Sequence, residues 1–168
     1  MHSELYWISD RMPGKLALMA RPRAGDWLED EIGHWRASGI DAVVSLLETE
    51  EVSDLGLQRE RALCERHGID FLPFPIADRG VPASMRETKA LAETLLERIA
   101  KGRAVAVHCR AGIGRSSIIA GSVLVLDGMS ANEALAAIAT ARRTPVPDTD
   151  AQRAWLVDFE RMAMGTDS

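Results

Sequence analysis

Taken as a string of apolar and polar residues, the chain alternates short aliphatic runs with longer stretches of helical period. Residues 5–9 and 15–20 read as short strands joined through Pro13-Gly14, a hairpin. Asp26 and Glu29 mark a helix start, Leu28, Ile32 and Trp35 supply its apolar stripe, and Gly39 ends it. Residues 40–47 are dense enough in aliphatics to form a strand buried on both faces. The acidic residues 48–56 predict a short helix or turn, and a further helix runs to Gly68 with Leu63 and Cys64 facing inward. Residues 69–76 form a strand whose Pro73 and Pro75 put its later part at a sheet edge or beyond the ladder.

In the second half, Ser84 and Glu87 read as a capping box for a helix with Leu91, Ala92, Leu95, Leu96 and Ile99 on one face. Residues 104–107 are a buried strand, and residues 115–126, apolar almost all round, predict a helix in the interior. Ser130 and Glu133 cap a helix to about Arg143, which the prolines of residues 144–148 break. The last helix presents Trp155, Leu156, Phe159 and Met162 to the core. Strands alternating with helices predict an α/β fold, a mostly parallel central sheet flanked by helices. The loop after residues 104–107 then lies at the carboxyl edge, where such sheets bind ligands.

Length and charge narrow this picture. With 168 residues and 46% apolar content, one domain spanning 1–168 is expected, with an ordered core of about 5–163 and a frayed end at 165–168. A formal charge of −5 argues against nucleic acid or an anionic membrane as partner, so any attraction for phosphate must be local. Two cysteines make no disulfide framework. The opening Met-His-Ser-Glu-Leu-Tyr lacks a basic region followed by an apolar stretch, so neither signal peptide nor membrane insertion is expected and the location is read as cytoplasmic. His2, His34 and His67 are scattered without ligand spacing; no metal site and no cofactor are expected.

The chemistry concentrates between the buried strand and the interior helix. Cys109 and Arg115 bracket five residues that include Gly112 and Gly114. Glycines allow successive backbone N–H groups to turn inward, and the following helix adds its positive end, so the segment is suited to an oxyanion. A cysteine there is expected as thiolate, and Arg115 can clamp a phosphate with two parallel hydrogen bonds. Arg110, Ala111, Gly112, Ile113 and Gly114 are the expected substrate-binding loop, with Arg110, Ala111 and Ile113 on its exterior. A leaving alkoxide needs a proton from a separate loop, for which Asp78 is the candidate and Arg79 a rim residue beside it. The competing reading of Asp78 is plain turn chemistry before Gly80. Arg21 and Arg23 are either rim residues or a solvated turn.

His-Cys-x5-Arg-Ser, residues 108–116, matches the signature of cysteine-dependent protein phosphatases at each defining position. Together with Gly14-Lys-Leu-Ala-Leu and Pro75-Ile-Ala-Asp-Arg-Gly-Val-Pro, it resembles the atypical dual-specificity phosphatases over about residues 5–162. The resemblance implies that fold and phosphomonoester hydrolysis through a phosphocysteine, with phosphate- or vanadate-like anions binding at the loop. It implies Ser116 as a hydrogen-bond partner of the departing sulfur, against simple first-turn helix chemistry. It implies a water-orienting role for Gln152, although Thr149 and Gln152 also fit a capping box. His108 is read either as tuning the thiolate or as a satisfied core histidine. Ile76-Ala77-Asp78 stands where the classical tyrosine phosphatases have Trp-Pro-Asp, so strict phosphotyrosine specificity is not expected.

The reading is therefore a metal-independent phosphatase acting on phosphotyrosine, with phosphoserine and phosphothreonine as further substrates, in a protein or peptide partner. The alternatives are a phosphatase on a non-protein phosphomonoester such as a phosphoinositide, a binding module without turnover, and sulfur transfer by a rhodanese-like loop. Cys64 is read as a small core residue, the alternative being a reversible disulfide with Cys109.

Overall fold

The computed structural model describes residues 4–8 and 12–165. Of the expected elements, Ser9 of the first strand and residues 166–168 of the frayed end lie outside them. Five strands form one sheet: β1 (Tyr6–Trp7), β2 (Lys15–Met19), β3 (Ala42–Ser45), β4 (Asp70–Pro73) and β5 (Ala104–His108), in the order β1-β2-β5-β3-β4. β1 pairs antiparallel with β2, as the hairpin reading required, and every other pairing is parallel. The α/β expectation of a mostly parallel sheet holds. It holds because β2, β3 and β5 carry aliphatics on both faces, and only a sheet covered on both sides can bury them.

Alternation along the strands sorts the core into two layers. Leu16 and Leu18 of β2, Val44 of β3 and Val105 and Val107 of β5 face one layer. There they meet α4 (Met85–Ala100), α5 (Arg115–Leu126), α6 (Ala131–Arg142) and α7 (Asp150–Ala163). Ala17, Met19, Val43 and Ala106 face the other layer, closed by α1 (Leu28–Ala37) and α3 (Glu60–Arg66). The short α2 (Thr49–Asp54) follows β3 at the carboxyl edge. Nearly all of α5 is buried, so it is the axis of the first layer; burying a Val or Ile side chain there contributes roughly 1.5–3 kcal/mol.

Differences from the expected elements are local. α1 starts at Leu28 after a single 3-10 turn, Gly25–Trp27, rather than at Asp26. Ser84 caps α4 by accepting from the Glu87 N–H, without the return bond of a full box, whereas Ser130 with Glu133 and Thr149 with Gln152 form both bonds. In α7, Leu156 and Phe159 are fully buried but Met162 is 37% exposed, because one turn further on the helix runs past the core. With β1, β4 is one of the sheet's two edge strands. Beyond it the N–H groups of Phe74 and Ile76 still reach the carbonyls of Ser45 and Leu46, while Pro73 and Pro75 fall on the alternate positions that face away. Cys64 sits in the α3 layer and Cys109 in the α5 layer, and both are free thiols. Among the described residues no helix is long and apolar enough to cross a membrane.

Candidate active site

β5 is the central strand and ends at His108, so the next residue, Cys109, emerges at the carboxyl edge between the ends of β2 and β3. The loop then turns at Gly112, whose φ of +74° a side chain disfavours. A Cβ there would also lie 2.6 Å from the Met19 carbonyl, so glycine is required by conformation and by space. Cys109 Sγ is nearly buried and accepts from the Gly112 N–H at 3.3 Å and from the Ser116 hydroxyl at 3.1 Å. Outside the loop, the Arg21 N–H binds the Arg110 carbonyl at 3.2 Å, and Ser117 Oγ donates to the Ile113 carbonyl. Because N–H and C=O of a trans peptide point in opposite directions, carbonyls held outward turn the next residue's N–H inward. The Gly112 N–H on Cys109 Sγ follows this rule, and it is the orientation that an anion-binding nest requires of each such N–H.

Arg115, the first residue of α5, is buried, and its charge is met by a carboxylate the sequence reading did not single out. Glu51 of α2 takes Nη1 at 2.7 Å and Nη2 at 3.0 Å, a bidentate pair. Nη1 also donates to the Ile76 carbonyl at 2.9 Å. Burial alone would lower the Arg115 pKa, but hydrogen bonding to Glu51 and the charges of Cys109, Glu51 and Asp78 outweigh it, and the net shift is upward. Burial likewise works to raise the Glu51 pKa. The bond from Arg115, the Glu48 N–H and the charges of Arg115 and Arg110 reverse it, so Glu51 lies below the ordinary carboxylate value. The signal that could have located Glu51 was present: a buried arginine needs a buried carboxylate, and Glu48-x-x-Glu51 fixes a helix start after β3.

Asp78 comes from the loop after β4. Its carboxylate is 55% exposed and accepts from Arg115 Nη2 at 3.2 Å. The loop turns through a Gly80 N–H to Ala77 carbonyl bond of 2.8 Å with Arg79 at φ +60°. Asp78 is therefore both a turn residue and a neighbour of the loop, and Arg79 is exposed beside it. Gln152 is buried. Its Oε1 accepts from the Asp148 and Thr149 N–H groups at 3.0 and 3.1 Å, and its Nε2 donates to the Gly80 carbonyl at 3.0 Å. The capping box is thus realised, and the same amide ties α7 to the loop that carries Asp78.

His108 lies on the far face of the sheet from α5. Its Nε2 is 2.6 Å from Glu60 of α3, a second carboxylate not anticipated, and its Nδ1 is 3.3 Å from the Cys109 carbonyl. It is a satisfied, wholly buried histidine that also touches the loop's backbone. Arg110 is exposed and its Nε approaches Glu51 at 3.4 Å; Ala111 is exposed and Ile113 leans on the α5 layer. Arg21 bonds the adjacent Pro22 carbonyl, and Arg23 pairs with Glu31 and lies over the Trp27 ring, so Arg23 is held away from the loop. Cys64 is a wholly buried core residue, and burial, aided by Glu60 and Glu65, pushes its thiol pKa upward. Among the described residues no three of His, Cys, Asp and Glu gather as a candidate metal set.

Comparison with known proteins agrees with this geometry. Kinase associated phosphatase, solved with its catalytic-site cysteine replaced by serine, superposes with a TM-score of 0.86 at 20% identity, covering 98% of each chain. Tk-PTP in the active form gives 0.76 at 28% identity, over 94% of this chain and 96% of that one. PTPMT1 in complex with PI(5)P gives 0.78 at 22% identity, over 96% and 99%. At 20% and 22% identity the likeness is one of fold. The family model described as "Tc-R-P: Polymorphic toxin system, DSP-PTPase phosphatase" matches residues 17–129, from β2 through the whole loop and α5. The fold and the loop of Cys109, Arg115 and Ser116 are those of a cysteine-dependent phosphatase of the dual-specificity kind. With more than half of its length matched, the chain belongs to the Tc-R-P family of DSP-PTPase phosphatases.

Proposed function

We propose that the protein hydrolyses phosphotyrosine, and phosphoserine or phosphothreonine as well, in a phosphorylated protein or peptide, through a phosphocysteine at Cys109. The observation that carries this reading is the meeting, at one sheet edge, of a sulfur inside a nest of N–H donors, a guanidinium locked by Glu51 and a separate carboxylate 3.2 Å from that guanidinium. A phosphoryl dianion takes the place of the Asp78 carboxylate on Arg115 Nη2, which frees Asp78 for the leaving group.

In the first step the Cys109 thiolate attacks phosphorus and the P–O bond to the leaving group breaks. Protonated Asp78 gives its proton to that oxygen, and Arg115 with the loop N–H groups holds the equatorial oxygens. In the second step water attacks the phosphocysteine, the Asp78 carboxylate takes its proton, and the S–P bond breaks. The Ser116 hydroxyl, 3.1 Å from the sulfur, steadies the departing thiolate. Gln152, held by the α7 cap and Gly80, fixes the approach of the Asp78 loop, and Arg79 and Arg110 form the rim. His108, bonded to Glu60 and the Cys109 carbonyl, sets the backbone from which the sulfur projects.

PTPMT1, whose structure holds PI(5)P, supports a second reading, a phosphoinositide substrate. The uncharged Ala111 and Ile113 favour a singly phosphorylated side chain over a polyanionic headgroup. The test is turnover of para-nitrophenyl phosphate with EDTA present, then a panel of phosphopeptides and phosphoinositides read with a Cys109→Ser substrate trap. EDTA-resistant turnover that Cys109→Ser abolishes, with phosphopeptides leading the panel, is the expected result. A panel led by lipids selects the second reading. No turnover, with phosphopeptide retained by the wild-type protein, reduces it to a binding module.

A further inference from the structure

The inward face of the phosphate loop is built from N–H groups, and each depends on the carbonyl behind it being turned outward. The Arg110 and Ile113 carbonyls are held by Arg21 and Ser117. The two between them, at the crown of the loop, are held by one side chain from the end of α6. Arg142 Nε donates to the Gly112 carbonyl at 2.8 Å and its Nη2 to the Ala111 carbonyl at 3.2 Å. The peptide whose carbonyl is Ala111 O carries the Gly112 N–H, and that N–H is the donor to Cys109 Sγ. The peptide whose carbonyl is Gly112 O carries the Ile113 N–H, which by trans geometry also turns inward.

The guanidinium is itself braced. It lies over the Tyr6 ring of β1, with the Arg142 Cζ 4.0 Å from the ring centroid, well inside cation–π range. β1 is only two residues long, yet its register against β2, Tyr6 opposite Leu18, places that ring over the end of α6. Arg143 bonds Glu4 at 2.7 Å and so ties the same chain end to the same helix end.

We propose that Tyr6 and Arg142 form an external clamp on the phosphate loop, with Arg142 a positioning residue for the hydrolysis and Tyr6 the part that keeps its fork aimed. A charged donor on a carbonyl also polarises the amide it belongs to, so the clamp strengthens as well as aims the inward N–H groups. The proposal rests on the phosphatase reading above for its turnover arm only; its binding arm needs nothing beyond anion capture by the loop.

The experiment compares Arg142→Met, Arg142→Lys, Tyr6→Leu and the Tyr6→Leu/Arg142→Met double variant. Binding of inorganic phosphate is measured by calorimetry, kcat and KM for para-nitrophenyl phosphate by steady state, and each variant's melting temperature alongside. Arg142→Met is expected to lower kcat/KM on the order of tenfold to a hundredfold, less than removal of a donor, because the N–H groups are misaimed and not lost. Phosphate affinity falls by a smaller factor, since the transition state leans on those donors more than the bound ground state does. Arg142→Lys, which keeps the charge but offers one nitrogen where the fork offers two, falls between. Tyr6→Leu costs about threefold and adds nothing in the Arg142→Met background, as coupled neighbours require.

Arg142→Met with wild-type phosphate affinity and kcat/KM overturns the clamp, whatever its melting temperature. A lower melting temperature with unchanged kinetics makes the contact merely structural, and equal Tyr6→Leu effects in both backgrounds remove Tyr6 from it. If the wild-type protein binds phosphate without turnover, the phosphatase reading fails while the calorimetry still decides the clamp. If it neither binds phosphate nor turns over, both fall.

Discussion

Replacing Glu51 with Gln tests the loop at the point where its electrostatics are most exposed to error. Glu51 makes two short bonds to a guanidinium whose side chain is 2% exposed, while its own is 11% exposed. Breaking one side of a buried pair costs about 3–5 kcal/mol, because a charge is left behind without compensation. Gln keeps the shape and one acceptor, so the lower end, about 3 kcal/mol, is the expected loss of stability in urea unfolding. The kinetic consequence is separate. With Glu51 neutral, the remaining carboxylate on Arg115 is Asp78, which would then hold the guanidinium against phosphate and withdraw itself from acid duty. A fall of about a hundredfold in kcat/KM follows, or about 2.7 kcal/mol at 1.36 kcal/mol per decade. The assay is steady-state hydrolysis of para-nitrophenyl phosphate, repeated in an Arg115→Ala background. There the stability loss should largely vanish, since Glu51 then keeps only the Glu48 N–H at 3.0 Å and Arg110 Nε at 3.4 Å, and kcat/KM should change less than about threefold. Wild-type turnover in Glu51→Gln, or an equal loss in both backgrounds, would refute the pairing as the source of Arg115's position.

Three other perturbations bear on the same site. Asp78→Asn should slow hydrolysis of phosphoserine peptides by about a hundredfold or more, and para-nitrophenyl phosphate less, because a good leaving group needs little protonation; equal losses on both would remove Asp78 as the acid. Ser116→Ala should slow the second step about tenfold, so rapid mixing should show a burst of nitrophenol followed by a slow phase, and a burst-free trace with normal turnover would dispose of its role. The Glu51 carboxyl, held below the usual 4.5 chiefly by Arg115 against the pull of burial, contributes stability that is complete above that value and lost as pH falls through its lowered one. Unfolding midpoints of the wild type should therefore drop below about pH 4.5 more steeply than those of Glu51→Gln, and parallel curves would contradict the assignment.

Much of the fold could be read from local pattern because each element's period, caps and burial agree. The aliphatic run of β5, the all-round apolar α5 and the Ser130–Glu133 and Thr149–Gln152 boxes are signals carried within a few residues. The Cys109–Arg115 loop was legible for the same reason, since its chemistry needs fixed spacing along one segment. What escaped is long-range: Glu51 and Glu60 reach Arg115 and His108 only once β3, β5 and α3 are assembled, and the Glu48-x-x-Glu51 pattern marks a helix start without saying which arginine its carboxylate will meet. Arg142 was hidden likewise, at the end of a helix where a basic residue is ordinary dipole chemistry. Met162 shares the apolar period of α7 yet lies past the core, because a period predicts a face but not where the core stops.

The central claim, that one sulfur inside the nest carries the phosphoryl group between substrate and water, is tested most directly by acid quench during turnover and mass spectrometry of the peptide containing Cys109. A phosphoryl adduct on Cys109, lost in Cys109→Ser and accumulating in Ser116→Ala, is expected. An adduct on any other residue, or steady turnover in Cys109→Ser, would contradict it.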